Sequence, residues 1–152
     1  HTFHLVQPHL TVDAEKFNIR YTDPSQIDNT PDKLRWYRYN RGLLQKQVAD
    51  YAGIYRSTYC SYEDAGRDYY PIKTMEKIAE LYNVPVVSLL DEYNLFLYYG
   101  QGAQIRALRN LRGLTQKQYA EYLGVPYGTL KQWEIDRVQI SKQTWEILKL
   151  RG

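Results

Sequence analysis

The feature that most constrains the fold of this 152-residue chain is an internal repeat. When residues 34–67 are aligned with residues 105–138, 13 of the 34 positions carry the same residue. Unrelated sequences of average composition would share about two. Self-similarity of this extent predicts that one folding unit occurs twice, with a small core in each copy. The sequence therefore predicts a tandem duplication.

The second copy carries the clearer helix signals. Thr115 and Gln118 have the spacing of a capping box, which predicts the start of a helix, and Gly124 predicts its end. Pro126 then opens another helix, on which Leu130 falls on the apolar face. Two short helices joined through a glycine and one small apolar residue are typical of a helix-turn-helix.

The first copy has similar punctuation with local differences. Thr30 and Pro31 predict the N-cap and first turn of a helix that ends before Gly42. Leu44 stands where the second copy has Thr115, and the loss of such a cap typically costs ~1 kcal/mol. We therefore expect the helix that follows Leu44 to be less stable than its counterpart or to rely on other contacts.

The stretch GLTQKQYAEYLGVPYGTLKQWE, residues 113–134, resembles the Cro and phage-repressor-like (Xre-type) helix-turn-helix family, and follows most of its pattern G-L-T-Q-x-x-L-A-x-x-x-G-V-x-x-x-T-I-x-x-W-E. The resemblance covers residues 31–96 and 101–150 and implies an all-α fold with two lambda-repressor-like bundles in tandem. The first copy looks like a complete five-helix bundle. The second ends after a fourth helix, so its core is expected to be completed by residues 95–99 or by a partner chain.

We accordingly divide the chain into three parts. Residues 1–30 form an N-terminal extension, residues 31–100 a first helix-turn-helix domain with a C-terminal linker, and residues 101–152 a second, shorter helix-turn-helix domain. Gly100 and Gly102 mark the junction.

The N-terminal extension lies outside the resemblance. Alternating apolar residues on either side of the sequence DAEK predict a short β-hairpin: Leu10, Val12, Phe17, Ile19 and Tyr21. Its negative charge makes it a poor candidate for lying along DNA, so packing on a domain or pairing between subunits is expected. The histidines His1, His4 and His9 have no cysteine or acidic ligand at a suitable spacing, and we expect neither a metal site nor a cofactor.

In the family that the chain resembles, the second helix of the motif enters the major groove, and its outward residues contact base edges. The resemblance implies DNA-binding candidates in the second copy at Gln116, Lys117, Tyr127, Gly128, Thr129, Lys131 and Gln132. The candidates in the first copy are Gln45, Lys46, Arg56, Ser57 and Ser61. The outward positions differ between the copies, which fits either two heads that read different sequences or the divergence of a solvated surface.

The resemblance also implies a structural ion pair between the first and third helices of each copy: Arg38 with Glu63, and Arg109 with Glu134. A paired arginine is a poor phosphate ligand, so these arginines are not expected to contact DNA. Gln45 and Gln116 are different because they begin the second helix, where the helix dipole favours an anion and the family contacts phosphate.

Charge is distributed unevenly along the chain. Residues 101–152 hold nine Lys or Arg and four Asp or Glu, a net charge of +5. Residues 31–100 hold nine of each and are neutral, and residues 1–30 have a net charge of −2. Because cations supply the attraction to phosphate, the second copy is expected to be the stronger DNA binder.

Composition argues against several other classes of protein. The single cysteine, Cys60, cannot form an internal disulfide, which fits a reducing cytoplasm. The apolar runs are shorter than the roughly 18 residues that a membrane span needs. No nucleophile, base and orienting group fall on the matched motif positions, so we expect no enzyme.

The sequence therefore predicts a cytoplasmic, sequence-specific double-stranded DNA-binding transcriptional regulator, and specifically a repressor. The alternative is an antitoxin-like or adaptor protein in which one head binds DNA and the other binds a protein partner. A homodimer stays open under both hypotheses, and no membrane partner is expected.

Overall fold

The computed structural model describes residues 14–17 and 20–152, and this part of the chain contains helices and no strands. It divides into two compact units, the first ending at Glu92 and the second beginning at Tyr93. None of the described helices is long and apolar enough to cross a bilayer.

Residues 30–91 of the first unit form four α-helices: α1 (Thr30–Asn40), α2 (Gln45–Ala52), α3 (Arg56–Tyr62) and α4 (Ile72–Tyr82). Short 3-10 helices lie at Pro24–Gln26 and Val86–Leu89. Gly53, with φ of 74°, ends α2 in the left-handed conformation that glycine adopts without a steric penalty. The chain then turns directly into α3, so that α2 and α3 form a helix-turn-helix.

The starts of α1 and α2 can be compared with the sequence prediction. The N-cap of α1 differs from it, and the start of α2 agrees with it. The N-cap of α1 is Asn29 rather than Thr30, since Asn29 Oδ1 accepts the Asp32 N–H at 2.8 Å. Thr30 is buried instead and donates its hydroxyl to the Leu89 carbonyl at 2.8 Å. Leu44 supplies no side-chain cap, as predicted, but the Gln47 side chain still accepts the Leu44 N–H at 2.7 Å. Helix α2 therefore keeps half of a capping box.

Tyrosines fill much of the first core. Tyr59 and Tyr62, which the repeat places opposite Leu130 and Trp133, are fully buried. The hydroxyls of Tyr59 and Tyr82 lie 2.9 Å apart. Burial raises the pKa of both, because an apolar environment disfavours the phenolate.

The predicted β-hairpin is wrong for the described part of the extension. Residues 14–17 and residue 20 are helical, and Phe17 O accepts the Tyr21 N–H at 2.9 Å. Ala, Glu and Lys favour a helix, and this outweighs the short alternation of apolar residues. The segment packs on α1, where Trp36 Nε1 donates to Tyr21 O at 3.0 Å. The other predicted hairpin residues lie outside the described residues: Leu10, Val12 and Ile19.

Helix α5 (Glu92–Tyr98) begins at the last residue of the first unit and otherwise belongs to the second. The second unit also contains α6 (Gln101–Leu111), α7 (Gln116–Leu123), α8 (Tyr127–Glu134) and α9 (Lys142–Arg151). Tyr93 of α5 is buried in its core, and Phe96 and Leu97 pack against that core. Helix α5 thus supplies apolar cover to the core of the second unit. Leu130 points inward, as predicted, and Trp133 is buried beside it.

Helix α6 approaches the end of α8 closely at Gly102. A Cβ at this position would lie 2.5 Å from the Glu134 carbonyl oxygen, so only glycine fits without a shift of the backbone. Gly102 therefore lies inside a helix rather than in a linker. Beside it, Gln101 Nε2 donates to the carbonyls of Trp133 at 3.2 Å and Val138 at 2.7 Å. These contacts fix the C-terminal end of α8 against α6.

Candidate nucleic-acid interface

The helix-turn-helix of the second unit is formed by α7 and α8. Thr115 and Gln118 make the predicted capping box: Thr115 Oγ1 accepts the Gln118 N–H at 3.2 Å, and Gln118 Oε1 accepts the Thr115 N–H at 2.9 Å. Gly124, with φ of 75°, ends α7 in the left-handed conformation. Helix α8 follows after Val125 and Pro126. The local geometry of the motif is thus as the sequence predicts.

A buried carboxylate joins three helices of this unit. Arg109 on α6 donates Nε to Glu134 Oε2 at 2.8 Å and Nη2 to Glu134 Oε1 at 3.1 Å. Its third donor, Nη1, reaches the Leu114 carbonyl at 3.1 Å. Gln116, the first residue of α7, donates Nε2 to Glu134 Oε1 at 3.0 Å. The predicted ion pair is confirmed, and it extends to a glutamine that the sequence assigned to DNA.

The first unit contains the same arrangement. Arg38 donates Nε and Nη2 to the Glu63 carboxylate at 2.7 and 2.9 Å, and Gln45 Nε2 donates to Glu63 Oε1 at 3.1 Å. Burial acts to lower the pKa of Arg38, but the hydrogen bond and charge of Glu63 outweigh it and raise that pKa. In addition, Gln45 Oε1 accepts from Cys60 Sγ at 3.1 Å. The Gln45 amide is therefore held at both ends.

The candidates on α8 do not all face the solvent. Tyr127, Gly128 and Lys131 are exposed, and Lys131 Nζ lies 5.1 Å from the centroid of the Tyr127 ring. A Cβ on Gly128 would meet no atom within 4 Å, so the surface there is open. Thr129 and Gln132 are half-buried, and Gln132 Oε1 is buried with no hydrogen-bond partner in the described part of the chain. The exposed face of α8 therefore includes Tyr127, Gly128 and Lys131 but only part of Thr129 and Gln132.

The candidates on α3 are similarly divided. Arg56 and Ser57 are exposed. Ser61 is half-buried, and its hydroxyl donates to the Thr58 carbonyl at 2.6 Å. Tyr55, which the sequence did not single out, is 82% exposed at the turn before α3.

The two lysines near the start of the motif differ between units. Lys46 Nζ lies 3.0 Å from Asp50 Oδ2 on the exposed side of α2. Lys117 on α7 is exposed and has no such ion pair within residues 14–17 and 20–152. The second unit therefore presents the less compensated cation.

Two residues that support α8 were missed by the sequence. Arg106 Nη1 donates to the Glu134 carbonyl at 2.5 Å, which places a cation at the C-terminal end of α8, where the helix dipole favours it. Gln101 binds the neighbouring carbonyls. Arg106 is one of the identities in the repeat, opposite Arg35, and that match was the available signal. Gln101 is not matched, so the repeat carried no signal for it.

No group of His, Cys, Asp and Glu that could hold a metal ion occurs in the part of the chain that the structure describes. His1, His4 and His9 lie outside the described residues.

Comparison with known proteins identifies relatives of this chain. A family model described as helix-turn-helix matches residues 105–148. The chain is also similar to the cryptic phage CTXphi transcriptional repressor RstR of Vibrio cholerae, with 32% identity over 79 residues that cover 52% of this chain and 70% of that protein. No solved structure gives a significant match. The family match includes Arg109, Gln116, Glu134 and all of α8.

Proposed function

Because the chain belongs to the Cro and phage-repressor-like (Xre-type) helix-turn-helix family, we propose that it is a transcriptional repressor that binds double-stranded DNA. The observation that carries the proposal is the exposed face of α8. Tyr127, Gly128 and Lys131 project there from a helix that α6 fixes from behind. An α-helix fits the major groove, where each base pair offers a distinct set of donors and acceptors.

Charge and the position of the polar residues support a phosphate-binding surface around this face. Residues 101–152 have a net charge of +5. Gln116 and Lys117 begin α7, and the first N–H groups of an α-helix have no intrahelical partner and favour an anion. In this proposal the exposed face of α8 reads bases while the start of α7 binds the backbone. The single Cys60 is compatible with a repressor that works in the cytoplasm.

We also propose that the two units are tandem copies of one fold. Their matching networks support this: Arg38, Glu63 and Gln45 in the first unit, and Arg109, Glu134 and Gln116 in the second. A further pair of matched arginines supports it too, since Arg41 binds the Tyr82 carbonyl and Arg112 the Arg151 carbonyl. Under this proposal α3 is a second reading helix, presenting Arg56 and Ser57.

One observation favours a protein-binding role for the first unit as a second candidate function. Residues 31–100 carry no net charge, and the turn before α3 exposes Tyr55 beside a shallow cleft of about 460 Å³. The cleft is lined by Gly53, Ile54, Tyr55 and Thr58. Aromatic residues are enriched in protein interfaces. A regulator of this kind would bind DNA with one head and a protein with the other.

Selection of bound sequences from a random DNA pool tests the proposal. The full chain should enrich a defined sequence, and a chain that enriches none would contradict DNA binding. On the selected site, Lys131→Ala and Gln132→Ala should each weaken specific binding by ~1 to 3 kcal/mol and relax the preference at one base pair. Lys117→Ala should weaken binding to specific and random DNA alike.

Footprinting of the selected site distinguishes one reading head from two. If both units bind, one chain should protect two dissimilar half-sites, since unlike heads on one chain are not related by two-fold symmetry. If only the second unit binds, each chain should protect one half-site, and a palindrome would indicate a homodimer. Two engaged heads should also give a steeper fall of log affinity with log salt, by about 0.9 for each phosphate neutralised.

A further inference from the structure

The carboxylate of Glu134 serves two partners at once. Its oxygens accept both Nε and Nη2 of Arg109, and Oε1 also accepts Nε2 of Gln116. Glu134 is 1% exposed, whereas Gln116 is half-buried and reaches the surface. A buried, charged acceptor thus holds a side chain that belongs to the proposed DNA-binding surface.

The Gln116 amide has a donor left over. A side-chain amide carries two N–H groups on one nitrogen. One of them is taken by Glu134, and no described residue accepts the other. Rotation of the amide would break a hydrogen bond to a buried carboxylate, and bonds to charged groups are among the stronger ones. The remaining N–H is therefore restrained in direction at the beginning of α7.

We propose that Glu134 is a positioning residue for DNA binding, which holds the Gln116 amide so that its second N–H donates to a DNA phosphate. Arg109 in turn fixes the carboxylate through two hydrogen bonds. The inference rests on the proposed function. Its physical basis is preorganisation: a donor that is ordered before binding loses less conformational entropy when the phosphate arrives.

The first unit extends the same inference to Glu63 and Gln45. Gln45 Nε2 donates to Glu63 Oε1 at 3.1 Å, which leaves its second N–H without a described acceptor. Its carbonyl oxygen also accepts from Cys60 Sγ at 3.1 Å, so this amide is restrained more fully than that of Gln116. The repeat places Lys131 at the position of Cys60, and no contact joins Lys131 to Gln116 in the described structure. The two units thus present the same donor with different degrees of order.

A purely internal role is the competing explanation. Gln116 could serve only to satisfy a lone pair of Glu134, because a buried carboxylate needs several donors. In that case, changes at Glu134 or Gln116 would alter stability, and no particular phosphate of the DNA would depend on them. The two explanations predict different results when one DNA phosphate is neutralised. The loss of affinity depends on the Gln116 side chain only if that side chain contacts this phosphate.

The test compares four full-length proteins on the selected DNA: wild type, Gln116→Ala, Glu134→Asp and the double variant. Aspartate keeps a negative charge near Arg109, but its shorter side chain draws the carboxylate back from both partners, so that the Gln116 amide is no longer held. Each single variant should raise the dissociation constant about tenfold. The double variant should bind no more weakly than Gln116→Ala alone. Gln143→Ala, at an exposed and neutral position of α9 outside the network, is the matched control and should change the dissociation constant by less than about threefold.

Replacing each backbone phosphate in turn with an uncharged methylphosphonate locates the contact. One position should weaken wild-type binding about tenfold and weaken Gln116→Ala and Glu134→Asp much less. This readout compares DNAs within one protein, so a loss of stability in a variant does not produce it. Additive losses in the cycle, or an equal penalty at every phosphate in all variants, would overturn the positioning role. A wild-type chain that selects no DNA would instead overturn the proposed function.

Discussion

The two units hold nearly the same buried network under different surfaces. Both have an arginine paired through two hydrogen bonds with a glutamate that also holds the first glutamine of the next helix. In the first unit the arginine side chain is 6% exposed, and in the second it is 16% exposed. The shared network therefore holds the same three helices together in each unit, whereas the exposed residues around it differ.

The same residue can also serve different contacts in the two units. Arg106 binds the Glu134 carbonyl at the end of α8. Arg35, its match in the repeat, forms an ion pair with Asp32 at 3.2 Å and lies 3.8 Å from Glu63. Helix α8 therefore receives a donor at its C-terminal end that α3 does not receive from Arg35. The two arginines are identical in the repeat, but this identity did not predict that their contacts would differ.

The largest expected effect comes from removing the buried arginine. Arg38→Met removes both guanidinium hydrogen bonds of the buried Glu63 carboxylate and leaves Arg35, at 3.8 Å, as its nearest cation, so it should lower the free energy of unfolding by ~3 kcal/mol. Arg109→Met should cost less, because Arg109 is more exposed and water can reach the site. Urea denaturation measures both values.

The control for this comparison removes both charges. The double variant Arg38→Met, Glu63→Leu should recover much of the stability that Arg38→Met loses, since no unpaired charge stays buried. Equal losses for the two single arginine variants would contradict the difference in burial between the units.

Alkaline pH should destabilise the first unit through its tyrosines. Burial raises the pKa of Tyr59 and Tyr82, so their neutral forms persist in the folded unit at a pH where unfolded tyrosines ionise. The resulting stability is present below about pH 10 and falls as pH rises above it, by up to about 1.4 kcal/mol per pH unit for each group. Urea denaturation at pH 8 and at pH 11 measures the loss.

The matched variant for this prediction is Tyr59→Phe with Tyr82→Phe. The two hydroxyls lie 2.9 Å apart, so the double variant removes both members of this hydrogen bond together. The double variant should lose less stability than the wild type between pH 8 and pH 11. Parallel losses in the two proteins would show that these two tyrosines are not the cause.

A smaller effect is expected at the helix caps. Leu44→Thr should stabilise the first unit by ~1 kcal/mol, because threonine would complete the half capping box at α2. Thr115→Ala should remove about the same amount from the second unit. Thermal unfolding followed by circular dichroism measures both shifts. A destabilised Leu44→Thr protein would mean that the partly exposed Leu44 side chain contributes more by packing than a cap would.

The smallest expected effect concerns the lysines. Lys117→Ala should reduce the slope of log affinity against log salt by about 0.9, the contribution of one phosphate contact. Lys46→Ala should reduce it less, because Lys46 already pairs with Asp50. Binding titrations at several salt concentrations give both slopes. A larger change for Lys46 would reverse the ranking of the two units as DNA binders.

Local signals predicted much of this fold. The capping box at Thr115 and the buried position of Leu130 follow from spacing alone. The N-cap of α1 shifted from Thr30 to Asn29 because both residues can cap, and only the tertiary contact of Thr30 with Leu89 decides between them. Short-range periodicity also suggested a hairpin where helix propensity prevails at residues 14–17.

The site was predicted less completely, for a physical reason. Gly102 looked like a linker residue because its close approach to Glu134 depends on residues far along the chain. The contacts of Gln101 and Arg106 with the end of α8 are equally long-range. The DNA-binding roles of α3 and α8 stay predictions, and the half-buried Thr129, Gln132 and Ser61 contribute less open surface than their spacing suggests.

The way in which α8 is fastened has a consequence for engineering. Helix α8 contacts the rest of its unit through its buried face and its C-terminal end, at Leu130, Trp133 and Glu134. Tyr127 and Gly128 lie at the opposite end, exposed to solvent. Recoding these two outer positions should therefore change what the helix recognises with little loss of folding stability, which makes the second unit a suitable scaffold for libraries of altered specificity.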